Sequence, residues 1–161
     1  MVAALAGALL GLGALAGCAP APSGPTPIPV PGTVDRPREV NIIAREYTYD
    51  PSTVDLVPGE TVLFHIVNAG LDVHEVVIGD ARTQDAWEAA EAAVAGAPPG
   101  PTPVVSVPAD RAGLRVVVTS GQRVDALWTV PTSRTPALVV GCHIPGHWAK
   151  GMQVAVRFIA P

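Results

Sequence analysis

The stretch Gly141-Cys142-His143-Ile144-Pro145-Gly146-His147-Trp148-Ala149-Lys150-Gly151-Met152 gathers a thiol, two imidazoles and a thioether. These residue types are scarce in the chain, which has 4 His, 2 Cys and 2 Met among 161 residues, one Met being the initiator. Thiolate, imidazole and thioether are graded soft donors, and such a set selects copper over hard cations. Two His and one Cys in a plane, with a weak axial Met, make a site built for one-electron chemistry. The loop supplies Cys142, Met152 and one His, so a further His must come from elsewhere. His74 is the natural source, because it follows the Asn68-Ala69-Gly70-Leu71-Asp72 loop and opens a strand, which places it at one end of a sheet. His65 lies inside the preceding strand and reads as a strand residue with a satisfied ring nitrogen. Within the loop, adjacent side chains at a strand end point to opposite faces, so His143 should point away from Cys142. His147 lies beyond a Pro-Gly turn that can fold it back.

A structural zinc site is the competing reading, since Cys142, His143, His147 and His74 make a CysHis₃ set. Pro145 argues against the helical pairing of two His that such sites often use, and zinc would leave Met152 idle. One copper ion, cycling between Cu(I) and Cu(II), is therefore the expected cofactor.

The elements that must position these residues read as strands. Val40–Glu46, Thr53–Val57, Thr61–Asn68, Val73–Gly79, Leu114–Thr119, Asp125–Val130, Ala137–Cys142 and Met152–Ile159 are short and β-rich, with Gly, Pro and Asp between them. The pattern predicts an all-β antiparallel sandwich or barrel. One segment breaks the rhythm. Residues 83–95 are rich in Ala and Glu and predict an inserted α-helix, with Thr83 as N-cap and Gly96 as stop. Its expected role is packing or a lid, without chemistry, with Trp87 as a core contact.

The N-terminal part has a different character. No charged residue precedes Asp35, and residues 1–17 are Met, Val, Ala, Leu and Gly only, ending at Cys18. This run is short for a membrane-spanning helix and suits a secretory signal. Residues 18–38 alternate Pro with small residues, which favours an extended polyproline tether. The folded domain is expected at 39–161. The chain carries 10 Lys+Arg and 14 Asp+Glu, a net charge of −4, which argues against a nucleic-acid partner.

Two resemblances add to this. Leu15-Ala16-Gly17-Cys18 resembles the lipobox of bacterial lipoproteins, which implies lipidation at Cys18, export, and a membrane anchor on the periplasmic or extracellular face. Residues 40–161 resemble the cupredoxin family: Tyr47-Thr48-Tyr49-Asp50-Pro51, Val57-Pro58-Gly59-Glu60-Thr61, Asn68-Ala69-Gly70…His74-Glu75, and the Cys-x₄-His-x₄-Met loop. The resemblance implies a Greek-key β-sandwich and metal ligands His74, Cys142, His147 and Met152. It gives Asn68 a supporting position by the site and leaves the hydrogen bonding of Glu75 open, since several members carry Asn or Ser there. It also implies an electron port at the exposed edge of His147, ringed by Ile144, Pro145 and Trp148. The implied activity is electron transfer between redox proteins of a respiratory or photosynthetic chain by transient docking, in a monomer and without enzymatic turnover. The sequence has no His-x-His motif, so the trinuclear cluster of a copper oxidase is not expected. A copper chaperone or store, or an accessory domain partnering a copper oxidase or reductase, is the alternative.

Overall fold

A computed structural model describes residues 29–96 and 105–160. The apolar run at 1–17, Cys18 and the first part of the Pro-rich segment lie outside the described residues. Two sheets pack face to face. One has the order β2(Thr48–Asp50), β1(Arg38–Arg45), β4(Thr61–Asn68), β7(Arg123–Thr129); the other is β3(Thr53–Leu56), β9(Gln153–Phe158), β8(Val139–Gly141), β5(His74–Gly79), β6(Leu114–Val118). Helix α1(Ala81–Val94) follows β5. Among the described residues, no helix is long and apolar enough to cross a membrane.

The expected sandwich is present, with one correction. The sheets are mixed: β1 runs parallel to β4, with Ile42 opposite Ile66, and β3 runs parallel to β9, with Val54 opposite Val156. Strand alternation shows which side chains face inward, but strand direction follows from connections that carry no local pattern. The inward faces supply Ile42, Phe64, Ile66, Leu56, Ile78, Val140 and Val156, all buried in one cluster. Each such side chain contributes roughly 1.5–3 kcal/mol by leaving water.

Strand β5 is buried on both faces. His74, Val76 and Ile78 fall on one side by alternation, and Glu75 and Val77 on the other. Val76 and Ile78 belong to the core, and α1 covers the opposite side. The helix starts two residues earlier than expected. Its N-cap is Asp80, whose side chain accepts from the Thr83 N–H at 2.9 Å, and Thr83 is buried in the first turn. Asp offers the same acceptor as Thr without β-branching. The chain turns out of the helix at Gly96, where φ is +77°, a conformation that favours glycine.

At the far end of β4, the Pro-rich segment joins the domain at Gly32. Its N–H donates to Glu60 at 3.3 Å and its carbonyl accepts from Thr61 at 2.9 Å. Glu60 is buried and also receives Arg38 Nε at 2.7 Å and the Val57 N–H at 2.7 Å. Burial raises its carboxyl, but Arg38 and the two backbone donors outweigh that and hold it below the usual carboxylate range.

Candidate metal centre

His74 opens β5 at the opposite end of β4 from Gly32, and the loop before it is stapled by two polar side chains. Asn68 is fully buried. Its Nδ2 donates to the carbonyls of Asp72 at 2.7 Å and Val118 at 2.9 Å, and its Oδ1 accepts the Gly70 N–H at 2.8 Å. From the other side, the Glu46 carboxylate accepts the N–H groups of Leu71 and Asp72, the latter at 2.9 Å. These donors lower the Glu46 carboxyl to about 2. The loop is thus held at both edges, and His74 leaves it with its ring fully buried.

Cys142 lies just past β8. Its N–H donates to the Met152 carbonyl at 3.1 Å. The Glu75 N–H donates to its Sγ at 3.3 Å, so the residue after one histidine touches the sulfur. Burial pushes the Cys142 thiol up to about 11, against the smaller opposing pull of the N–H groups of Glu75 and Ile144. Pro145-Gly146 turns the chain back as the sequence suggests. Gly146 takes φ +88°, and the His147 N–H donates to the Ile144 carbonyl at 2.9 Å. A short 3₁₀ turn, Trp148–Lys150, ends at Gly151 with φ +85°. The Met152 N–H then donates back to the His147 carbonyl at 3.2 Å, and Met152 is fully buried.

These elements bring His74, Cys142 and His147 together, with one donor atom from each lying within 4.8 Å of the others. Nδ1 of His147 is 3.4 Å from Cys142 Sγ. Burial, and then the neighbouring His74, lowers the pKa of His147, favouring the neutral ring that a metal requires. Both ring nitrogens of His74 are buried without a hydrogen-bond partner. An imidazole in that condition costs free energy unless something coordinates it. The donor set and this orphaned ring fit a single soft metal ion.

The two other histidines stand outside the cluster. His65 bonds through Nδ1 to Asp125 at 2.9 Å and faces Glu39 with Nε2 at 3.3 Å. His143 points the other way from Cys142, with Nδ1 2.8 Å from Glu88 and Nε2 2.7 Å from Gln84, both on α1. Trp148 stacks on it with ring centres 4.9 Å apart, while Pro145 is exposed. His147 has little exposed surface. The residue is 5% exposed; Tyr47 packs edge-on against its ring at 4.8 Å, and Lys150 lies over Tyr47 at 3.7 Å. Asn68 does not touch the sulfur; it builds the loop instead.

No protein-family profile and no curated protein matches the chain. Solved structures do. The reduced auracyanin of Roseiflexus castenholzii aligns at 21% identity over 76% of this chain and 97% of its own, with a TM-score of 0.60. An azurin of Methylomonas sp. strain J aligns at 16% identity over 76% and 98%, with a TM-score of 0.61. Auracyanin A of Chloroflexus aurantiacus, described as a "blue" copper protein, aligns at 17% over 75% and 99%, with a TM-score of 0.55. The chain has the cupredoxin fold.

Within that cupredoxin fold, several contacts around the cluster carry no sequence signal. Glu46 and Tyr47 precede β2 and reach the loop and His147. Arg115 on β6 bridges Glu75 and Glu91. Gln84, Glu88 and Glu91 lie on a helix whose composition suggested packing or a lid. Each partner is 24 or more residues away in sequence. Spacing could not have found them.

Proposed function

We propose that the chain binds one copper ion, which His74, Cys142 and His147 would hold with Met152 as a weaker further donor, and carries one electron at a time between exported redox proteins. The observation that carries this reading is the convergence of the three donor atoms within 4.8 Å, in a cupredoxin fold. Copper supplies the one-electron Cu(I)/Cu(II) couple. The chain supplies the rest. Cys142 gives up its thiol proton on ligation, and the Glu75 N–H then donates to a charged sulfur, which strengthens that hydrogen bond. The stapled 69–72 loop and the folded-back 143–152 loop restrict movement of the donors between oxidation states. The buried shell of Met152 and Tyr49 keeps water from the sulfur.

The test is a metal analysis with a visible spectrum of the copper-loaded protein. One copper per chain, with an intense Cu(II)–thiolate absorption that bleaches reversibly under reductant, is expected. A colourless, readily exchanged Cu(I) site would favour a copper store and overturn the carrier reading.

The apolar residues 1–17 and the Leu-Ala-Gly-Cys ending support a lipid anchor at Cys18 on the outer face of a membrane. Cys18→Ala is then expected to move the protein from the membrane fraction to the soluble fraction on cell fractionation. Unchanged membrane association would rule the lipid anchor out.

A further inference from the structure

Helix α1 buries a polar face. Its buried residues are Thr83, Gln84, Trp87 and Glu91, with Glu88 half-buried beside them, while Ala89, Ala92 and Ala93 are exposed. An insertion held only for packing would turn its apolar residues inward. Burying amides and carboxylates costs free energy unless each is bonded, and here each is bonded toward the metal centre.

Two chains of contacts run from the helix. In the first, Gln84 Nε2 donates to the carbonyls of Val77 and Gly79 on β5, each at 3.3 Å, and Val139 on β8 at 3.0 Å. One amide thereby ties the strand that carries His74 to the strand that leads into Cys142. Its Oε1 and the Glu88 carboxylate take the two ring nitrogens of His143, the residue that follows Cys142. In the second, Glu91 accepts Arg115 Nη2 at 2.7 Å, and the same nitrogen donates to Glu75. The Arg115 guanidinium also lies 4.5 Å over the Trp87 ring. Glu75 follows His74, is fully buried, and has its carbonyl taken by the Tyr49 hydroxyl. With side chain and carbonyl both held, its N–H is left aimed at Cys142 Sγ.

We propose that α1 is a positioning element of the metal centre: Glu91 and Arg115 hold the Glu75 N–H on the cysteine sulfur, and Gln84 and Glu88 hold the backbone beyond Cys142 through His143. The inference rests on the copper-carrier reading and assigns the residues that tune its sulfur. Outer residues that orient ligands typically change metal affinity 10–100-fold when removed.

The experiment compares Glu91→Ala and Glu88→Ala with Asp85→Ala on the exposed face of the same helix. Ala is the best helix former, so the helix itself is not weakened. In metal-free protein, amide hydrogen exchange at Glu75 is expected to quicken at least tenfold relative to Val76 in Glu91→Ala and at Cys142 in Glu88→Ala, and not in Asp85→Ala. In copper-loaded protein, both variants are expected to shift the thiolate band. They are also expected to change the relative affinity for the two oxidation states about tenfold, which is about 59 mV for one electron. Glu91→Gln, which keeps an acceptor for Arg115, should restore most of both signals. Variants that lower the melting temperature but leave exchange, band and potential at the Asp85→Ala values would overturn the proposal. If the unsubstituted protein gives no thiolate band, the carrier reading fails, and the exchange rates still decide the positioning role.

Discussion

Cys142→Ser abolishes the visible thiolate absorption of the copper-loaded protein and leaves the metal-free sandwich folded. The absorption belongs to a bond between sulfur and copper, and a serine hydroxyl is a hard donor that stays protonated at neutral pH. The fold has little stake in the sulfur. Ser fills nearly the same space at this fully buried position, and the Glu75 N–H that now meets Sγ at 3.3 Å has an oxygen to meet instead. The cost in folding free energy is about 1–2 kcal/mol, within the range for a buried hydroxyl that finds a partner. Spectra with and without copper, and a thermal melt of the metal-free variant, check both halves. A band that survives the substitution removes Cys142 from the metal.

Asn68→Ala strikes the fold and the site together. The amide holds three backbone groups: the Gly70 N–H and the carbonyls of Asp72 and Val118. Alanine leaves these three without their partner. An unmet buried group costs roughly 1–3 kcal/mol, and Asp72 is exposed enough for water to replace its share. The expected loss is about 3 kcal/mol in denaturant unfolding of the metal-free protein, summed on that scale. The loop that presents His74 loses its inner staple, so copper affinity falls by roughly 10–100-fold as well. A variant that unfolds within about 1 kcal/mol of the parent would mean that Glu46 alone suffices to hold the loop, since one net hydrogen bond is worth about that much.

The ligand loop was legible because Cys142, His147 and Met152 sit in one stretch, and Pro145-Gly146 announces the turn that folds it back. His74 was legible from its place after a loop and before a strand. Alternation at the strand end also put His143 on the far side of Cys142, where it lies. The helix was found, but its N-cap is Asp80 rather than Thr83, and its buried polar face was hidden. A helix of Ala and Glu has no apolar stripe to say which side faces in. Only the attachment of α1 beside β5 and β8 turns Gln84, Glu88 and Glu91 inward. Arg115 was equally silent, because a lone arginine on a strand reads as a solvent-facing residue until a carboxylate 40 positions earlier is known to lie beside it. The parallel pairings of β1 with β4 and β3 with β9 are a matter of connection, which no local pattern encodes.

The joint between Gly32 and the start of β4 sets a direction in space. The loops that carry His74 and His147 are at the other end of that strand, which spans roughly 23 Å at about 3.3 Å per residue. A lipid at Cys18 would leave a leash of 14 residues to Gly32, a length of chain that covalent geometry limits to about 50 Å. The domain would then hang from the bilayer by its blind end, with its metal-bearing tip facing outward, and the leash would define a hemisphere above the membrane within which any electron donor or acceptor has to be met.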